Sequence, residues 1–316
     1  MSLLIAVAVI IFSLLFIMIN PVFTKRKNSL SINVSKENLY KHIEFLTSLE
    51  PPRNAFYIEA LEKSSQYIYS YFKNFCDKTY FQEFLVDGKK YKNVICEFGK
   101  GTKTIVIGAH YDVCCEQPGA DDNASGVAGL LELARLICEN KPKLNHKIQL
   151  VAYTLEEPPY FATNSMGSYI HAEDLYKKKE NIKFMVSLEM IGYFSDIKNS
   201  QKFPLKLLKL FYPDKGNFIG IVGRPSDWII TRHIKKHMKR CSDIDVRSIN
   251  IPNIIPGVDY SDHRNYWKFG YKAVMITDTA FYRNPNYHQK TDTIDTLDFE
   301  KMAEVIKGVY CAVINS

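Results

Sequence analysis

The chain has 316 residues, 46% of them hydrophobic and 24% charged, with 19 Phe and 20 Tyr, a balance that excludes a disordered chain. Its 15 Gly and 13 Pro follow no repeat, which excludes collagen-like and low-complexity architectures. The formal net charge of +7 is no nucleic-acid signature: 34 acidic residues are interleaved with 41 basic ones, and the one basic run, Thr231 to Arg240, lacks base-stacking aromatics.

Leu3 to Ile19 is apolar apart from Ser13, at the ~17-residue lower limit for crossing a bilayer. Residues 1–22 therefore read as a membrane anchor or an uncleaved signal segment, since no basic residue precedes the run and no small-x-small cleavage site follows it. Lys25, Arg26 and Lys27 lie just beyond, and the positive-inside rule would put the main domain on the cytoplasmic side. Residues 23–35 read as a polar linker and 36–316 as the main domain.

Ser35, Glu37 and the apolar positions Leu39, Ile43 and Leu46 predict a capped helix that ends at Pro51 and Pro52. A second helix is predicted from about Ala55 to Phe75, followed by β-rich runs at Thr79 to Val86, Tyr91 to Phe98 and Thr104 to Ile107. Helices are then expected at Asn123 to Glu139, Met166 to Lys177, Ser226 to Lys239 and Leu297 to Val313. Strands are expected at Lys147 to Tyr153, Lys183 to Leu188, Asn217 to Val222, Asp243 to Asn250 and Lys272 to Ile276. Such alternation predicts an α/β fold, a three-layer α/β/α sandwich around a mixed, mostly parallel sheet. Seven cysteines form no C-x-x-C pair, and their odd number argues against a disulfide-stapled scaffold.

Acidic and imidazole groups fall where these strands end. His110 and Asp112 follow one strand, Asp121 and Asp122 precede a helix, Glu156 and Glu157 end a second strand, Glu189 ends a third, and His288 follows a fourth. In α/β sheets, ligands bind at the carboxyl ends of strands. Buried carboxylates need compensating charge, and a divalent cation supplies it. A set of imidazole and carboxylate donors suits zinc, with manganese and cobalt as alternatives; more than four donors suit two ions sharing a bridging carboxylate. His233 and His237 have i,i+4 spacing but lack the Glu of H-E-x-x-H, and Ser125 and Ser261 stand outside G-x-S-x-G, so neither a zincin helix nor a serine-hydrolase elbow is indicated.

At these residues the sequence resembles the M28 family of co-catalytic zinc aminopeptidases. The resemblance is carried in order by His110-Tyr111-Asp112, Pro118 to Gly126, Leu155-Glu156-Glu157, Leu188 to Gly192 and Tyr287-His288, and covers roughly Leu39 to the C-terminus. Ser261-Asp262-His263, with Trp267 and Gly270 to Ala273, resembles a further family segment beside the substrate cleft. The resemblance implies a phosphorylase/hydrolase-like fold of the zinc-peptidase type. It implies His110 and Glu189 on one zinc, Glu157 and His288 on a second, and Asp122 bridging both. Asp112 would orient His110, and Glu156 would be the general base for a metal-bridged hydroxide. A cis peptide is implied between Asp122 and Asn123.

Tyr260, Asp262, His263, Tyr282 and Arg283 are the candidates to line the substrate cleft. Two departures stand out: Glu189 occupies a position commonly Asp, and Val258 falls where some members carry an oxyanion-stabilising Tyr, leaving Tyr260 or Tyr282 to substitute. The expected activity is removal of N-terminal residues from peptides with a free α-amino group. The alternatives are a glutaminyl-cyclase-like acyl transferase with one zinc and a non-catalytic receptor or interaction module. Family habit favours an extracytoplasmic domain tethered through residues 3–19, against the indication of the basic cluster.

Overall fold

The computed structural model of the chain describes residues 2–24 and 32–316. Lys25, Arg26 and Lys27, which carry the cytoplasmic indication, lie outside the described residues.

Eight strands form one sheet in the order β1-β2-β4-β3-β5-β8-β6-β7. β1 (Lys78–Val86) and β2 (Lys89–Phe98) are joined by Asp87 and Gly88, both at positive φ, as a two-residue hairpin turn requires. β3 (Thr104–His110), β4 (Lys147–Tyr153), β5 (Ile182–Glu189) and β8 (Ala273–Thr277) make a parallel central block. β6 (Phe218–Gly223) runs antiparallel to β8, and β7 (Asp245–Asn250) runs parallel to β6. All seven residues of β3 are buried, the pattern of a strand covered on both faces.

Alternation along the strands feeds two cores. Ile105, Ile107, Leu150, Val186 and Ile276 pack with α2 (Lys36–Thr47), α3 (Ile58–Phe75), α4 (Gly126–Asn140), α6 (Trp228–Cys241) and α8 (Phe299–Ile314). Val106, Val151, Met185 and Met275 face the opposite way, against α5 (Gly167–Lys177) and α7 (His263–Lys268). The result is the expected three-layer sandwich, mixed and with its parallel strands in the centre. Ser35 caps α2 as its sequence indicated, its hydroxyl accepting from Asn38 N. The six-residue α7 was not foreseen, because it is too short to show a helical period.

α1 (Ser2–Ile19) has 18 residues, about 27 Å at 1.5 Å per residue and shorter than the ~30 Å bilayer core. Among the described residues no helix is long and apolar enough to cross a membrane. The carboxyl end of α1 is fastened to the domain. Lys235 Nζ donates to Ile19 O and Asn20 O at 3.0 and 3.1 Å, and Ser248 Oγ donates to Ile19 O at 3.0 Å.

The cysteines correct the sequence expectation. Cys76 is bonded to Cys96 and Cys241 to Cys311, while Cys114, Cys115 and Cys138 are free. The pairs lie 20 and 70 residues apart and are brought together by α3 beside β2 and α6 beside α8, so no local spacing announced them.

Gly108, in the middle of β3, leaves the room occupied by the Tyr153 ring: a Cβ there would stand 2.1 Å from Tyr153 Cε2. Tyr153 is itself fixed by a 2.7 Å hydrogen bond between its hydroxyl and that of Tyr266. Gly108→Ala is expected to destabilise the domain by about 1–3 kcal/mol through overpacking. Guanidinium denaturation should show a lower midpoint; an unchanged midpoint would mean the ring shifts freely.

Candidate metal centre

His110 is the last residue of β3, and its ring is held by Nδ1 donating to Asp112 O at 3.1 Å, which aims Nε2 at the rim. The Asp112 carboxylate, expected to perform that task, stands 3.7 Å from Nδ1. It accepts instead from Glu156 N at 3.2 Å and Glu157 N at 3.0 Å. Asp112 therefore sets the turn after β4 that presents both glutamates, where Leu155 takes a φ of 60°.

Asp122 sits in the kinked turn Ala120–Ser125 ahead of α4, and the bond from Asp122 to Asn123 is cis, as the resemblance implied. The turn is held from three sides. Asp292 accepts from Asp121 N and Asp122 N at 2.9 and 3.0 Å, and Asn123 Nδ2 donates to Leu188 O at 2.9 Å. The fully buried Arg53 donates to Leu46 O, Pro118 O and Gly119 O.

These supports bring the five expected donors together. His110 Nε2 lies 3.4 Å from Asp122 Oδ1 and 3.3 Å from Glu189 Oε1. His288 Nε2 lies 3.2 Å from Asp122 Oδ2 and 3.3 Å from Glu157 Oε2. Tetrahedral ligands about 2.0–2.1 Å from one zinc ion stand about 3.3 Å apart, so these are ligand-to-ligand separations. Asp122 turns one carboxylate oxygen to each imidazole. Asp122 Oδ2 and Glu157 Oε1 are buried without a hydrogen-bond partner, a costly arrangement that a cation relieves. The donors present thus fit a divalent metal.

The longer side chain of Glu189 is accommodated by a hydroxyl pair: Ser261 Oγ donates to Glu189 Oε2 at 2.7 Å and lies 2.7 Å from Ser187 Oγ. His288, at φ 56°, is stacked on Tyr287 with ring centroids 3.8 Å apart. Glu156, 5% exposed, reaches to 4.0 Å from His110 Nε2 without joining either donor group. Burial pushes its carboxyl well above the usual range, opposed by His110 and aided by Glu189. Burial raises Glu157 to about 7, and His288 is held up at about 10 against its burial by Asp122 and Glu157.

A cavity of about 270 Å³ opens from Asp122, Glu156 and His288 onto a wall that includes Phe161, Phe218 and Met275. Tyr260 and Tyr282 line it. Asp262, His263 and Arg283 do not, and their expected position beside the substrate is corrected. Asp262 is fully buried. His263 Nε2 donates to Val258 O at 2.8 Å, with its ring edge-on to Trp267. Arg283 donates to Gln201 Oε1 and Tyr193 O and stacks over Phe218. His263 and Arg283 brace the cavity wall from behind. Of the two tyrosines proposed to replace the residue at Val258, Tyr282 donates its hydroxyl to Pro256 O. Sequence reasoning missed Arg53, Asn123 and Asp292 as supports. Arg53 and Asp292 stand in no motif, whereas Asn123 and Ser261 lay inside quoted segments without a role.

A family model described as peptidase family M28 matches residues 93–313. The uncharacterized protein YfbL of Escherichia coli K12 is 44% identical over 293 residues, 90% of this chain and 89% of that protein. Leucine aminopeptidase 1 of Fusarium vanettenii is 26% identical, covering 87% of this chain and 68% of that one. Among solved structures, the LapA aminopeptidase of Legionella pneumophila superposes with a TM-score of 0.70 at 20% identity, covering 93% and 76% of the two chains. The Bacteroides thetaiotaomicron glutaminyl cyclase bound to N-acetylhistamine does so at 0.64 and 18%, covering 90% and 99%.

Ser261→Ala removes the donor that aims Glu189 and should weaken divalent-cation affinity about 10- to 100-fold, the range for partners of metal ligands. Competition with a chromogenic chelator measures this, and circular dichroism checks the fold. Unaltered affinity would mean Glu189 needs no such support.

Proposed function

Because the chain belongs to peptidase family M28, we propose that it is a zinc-dependent aminopeptidase, hydrolysing the first peptide bond of substrates with a free α-amino group, with two ions at the site. The observation that carries this reading is the placement of Asp122, whose two oxygens face His110 and His288 at 3.4 and 3.2 Å. His110, Glu189 and Asp122 Oδ1 would hold one ion; His288, Glu157 and Asp122 Oδ2 would hold the other. Zinc bound there supplies a Lewis acid for the scissile carbonyl and lowers the pKa of water toward ~7.

The chain's own groups then do the proton work. Glu156 stands beside both donor sets yet belongs to neither, so its carboxylate is free to accept a proton from attacking water and return it to the departing amine. Asp112, accepting from Glu156 N and Glu157 N, keeps base and ligand in fixed register. The apolar cavity receives the side chain of the N-terminal residue and excludes water from the reacting carbonyl. An extracytoplasmic location is part of the proposal; the two disulfides support it, because such bonds persist in oxidising compartments.

Metal content per folded chain and a panel of aminoacyl arylamides, N-blocked peptides and N-terminal Gln peptides test the reading. It requires about two zinc ions and hydrolysis of unblocked substrates only. One zinc with pyroglutamate formation would instead establish a glutaminyl cyclase, and neither metal nor turnover an interaction module. Glu156→Gln should keep its zinc and lose ~100- to 10,000-fold in kcat, the range for a general base. Near-normal turnover would remove Glu156 from the chemistry.

A further inference from the structure

Lys202 to Tyr212 forms the outer wall of the cavity: Lys202, Phe203, Pro204, Leu208 and Tyr212 line it from this segment, with Leu208 buried. The other leucines of the same turn point away. Leu205, Leu207 and Leu210 are 46%, 61% and 75% exposed, a density of exposed leucine that water alone does not favour. Lys202, Lys206 and Lys209 are interleaved with them, all exposed and without an ion pair among the described residues. No acidic residue occurs between Asp196 and Asp214. Apolar residues alternating with free lysines present an apolar tip with a cationic fringe, the chemistry that inserts at the boundary between headgroups and acyl chains of an anionic bilayer.

A second observation points the same way. Tyr212 donates its hydroxyl to Ser248 O at 2.7 Å, and Ser248 donates its own hydroxyl to Ile19 O at 3.0 Å. The segment and the carboxyl end of α1 are thus fastened to the same residue of β7, at one edge of the sheet. Along α1, Ile5, Val9 and Phe12 are exposed on one side and Val7 and Leu14 on the other, at about 100° per residue. Apolar side chains are thus exposed on both sides of this helix. The apolar helix and the leucine–lysine turn leave the domain at a common edge.

We propose that Leu205, Leu207 and Leu210, with Lys202, Lys206 and Lys209, form an interfacial docking surface for an anionic lipid bilayer, distinct from the α1 segment. Docked in this way, the cavity wall lies at the membrane surface, and the cavity is presented to peptides whose free N-termini lie there. The surface itself does not depend on the peptidase reading, because it is measured without turnover.

The test is hydrogen–deuterium exchange of the metal-loaded full chain, alone, with phosphatidylcholine vesicles, and with vesicles that also contain phosphatidylglycerol. Exchange over residues 203–211 is expected to slow most with phosphatidylglycerol and to recover in high salt. Lys206→Gln with Lys209→Gln should lose the phosphatidylglycerol dependence. Leu205→Gln, Leu207→Gln and Leu210→Gln together should lose the protection altogether while hydrolysis of a soluble aminoacyl arylamide stays unchanged. Three results overturn the proposal: exchange over 203–211 unaltered while α1 becomes protected, equal slowing with both vesicle types, or slowing without lipid that grows with protein concentration, which would identify a second copy of the chain as the partner.

Discussion

Five carboxylates share one dry rim of this sheet, and nearly everything around them answers the problem of holding that much negative charge out of water. Asp112, Asp122, Glu156, Glu157 and Glu189 are each no more than 6% exposed. Desolvating an unpaired carboxylate costs several kcal/mol, so such a group survives only with hydrogen-bond donors, a cation or a proton. Asp112 is satisfied by backbone amides. Glu189 is half satisfied by Ser261. Asp122 Oδ2 and Glu157 Oε1 keep no hydrogen-bond partner, and both residues stand beside the His288 imidazole.

Behind the rim a second ring of charge is balanced within the protein. Asp121 accepts from Gly192 N and from Asn284, and Asp278 accepts from Tyr193 N and Ala280 N. Arg283 is buried beside these two acids, and Arg53 is buried beside Asp292 and the rim carboxylates Asp122, Asp112 and Glu157; desolvation lowers both guanidinium groups to about 10, so they remain cationic at neutral pH. Burial raises Asp292 to about 8, with the nearby Asp121 charge adding to the shift, so at neutral pH this ring carries less charge than its residue types suggest. The contrast separates the two rings: the one behind is closed by Arg283 and amides, whereas the rim keeps Asp122 Oδ2 and Glu157 Oε1 without a hydrogen-bond partner.

This division also explains what could be read from the sequence. The donors were legible because the chemistry of a strand end is local: His110, Glu156, Glu157 and Glu189 each follow a recognisable apolar run, and parallel strands bring their ends together by construction. The strands and long helices were legible for the same reason, since alternation and helical period are short-range patterns. Arg53 serves a loop 65 residues away and Asp292 an amide 170 residues away, and no periodicity records such a meeting. Asp262 and His263 were misplaced by the same blindness. The resemblance of the Ser261-Asp262-His263 segment put both beside the cleft, whereas in the fold Ser261 turns to Glu189, His263 turns to Val258 O and Asp262 is fully buried.

The reversal of direction at β6 gives the molecule its second function-bearing feature. From β4 to β8 the sheet is parallel, and the face bearing Val106 and Met185 is roofed by α5 and α7, with α7 packed on β5 and β8. Beyond it, β6 and β7 are roofed by the loop Lys202 to Tyr212 and by residues 251–260, which span the sheet without filling the space above Phe218, Gly220 and Val222. Loops leave room where a packed helix would not, so an apolar cavity forms directly beside the polar rim. The position of Gly220 on that floor adds to the room, because its missing side chain would otherwise rise toward Thr277 O. The metal donors depend on parallel strands ending together, and the binding space depends on that parallel order stopping where β6 joins β8 antiparallel.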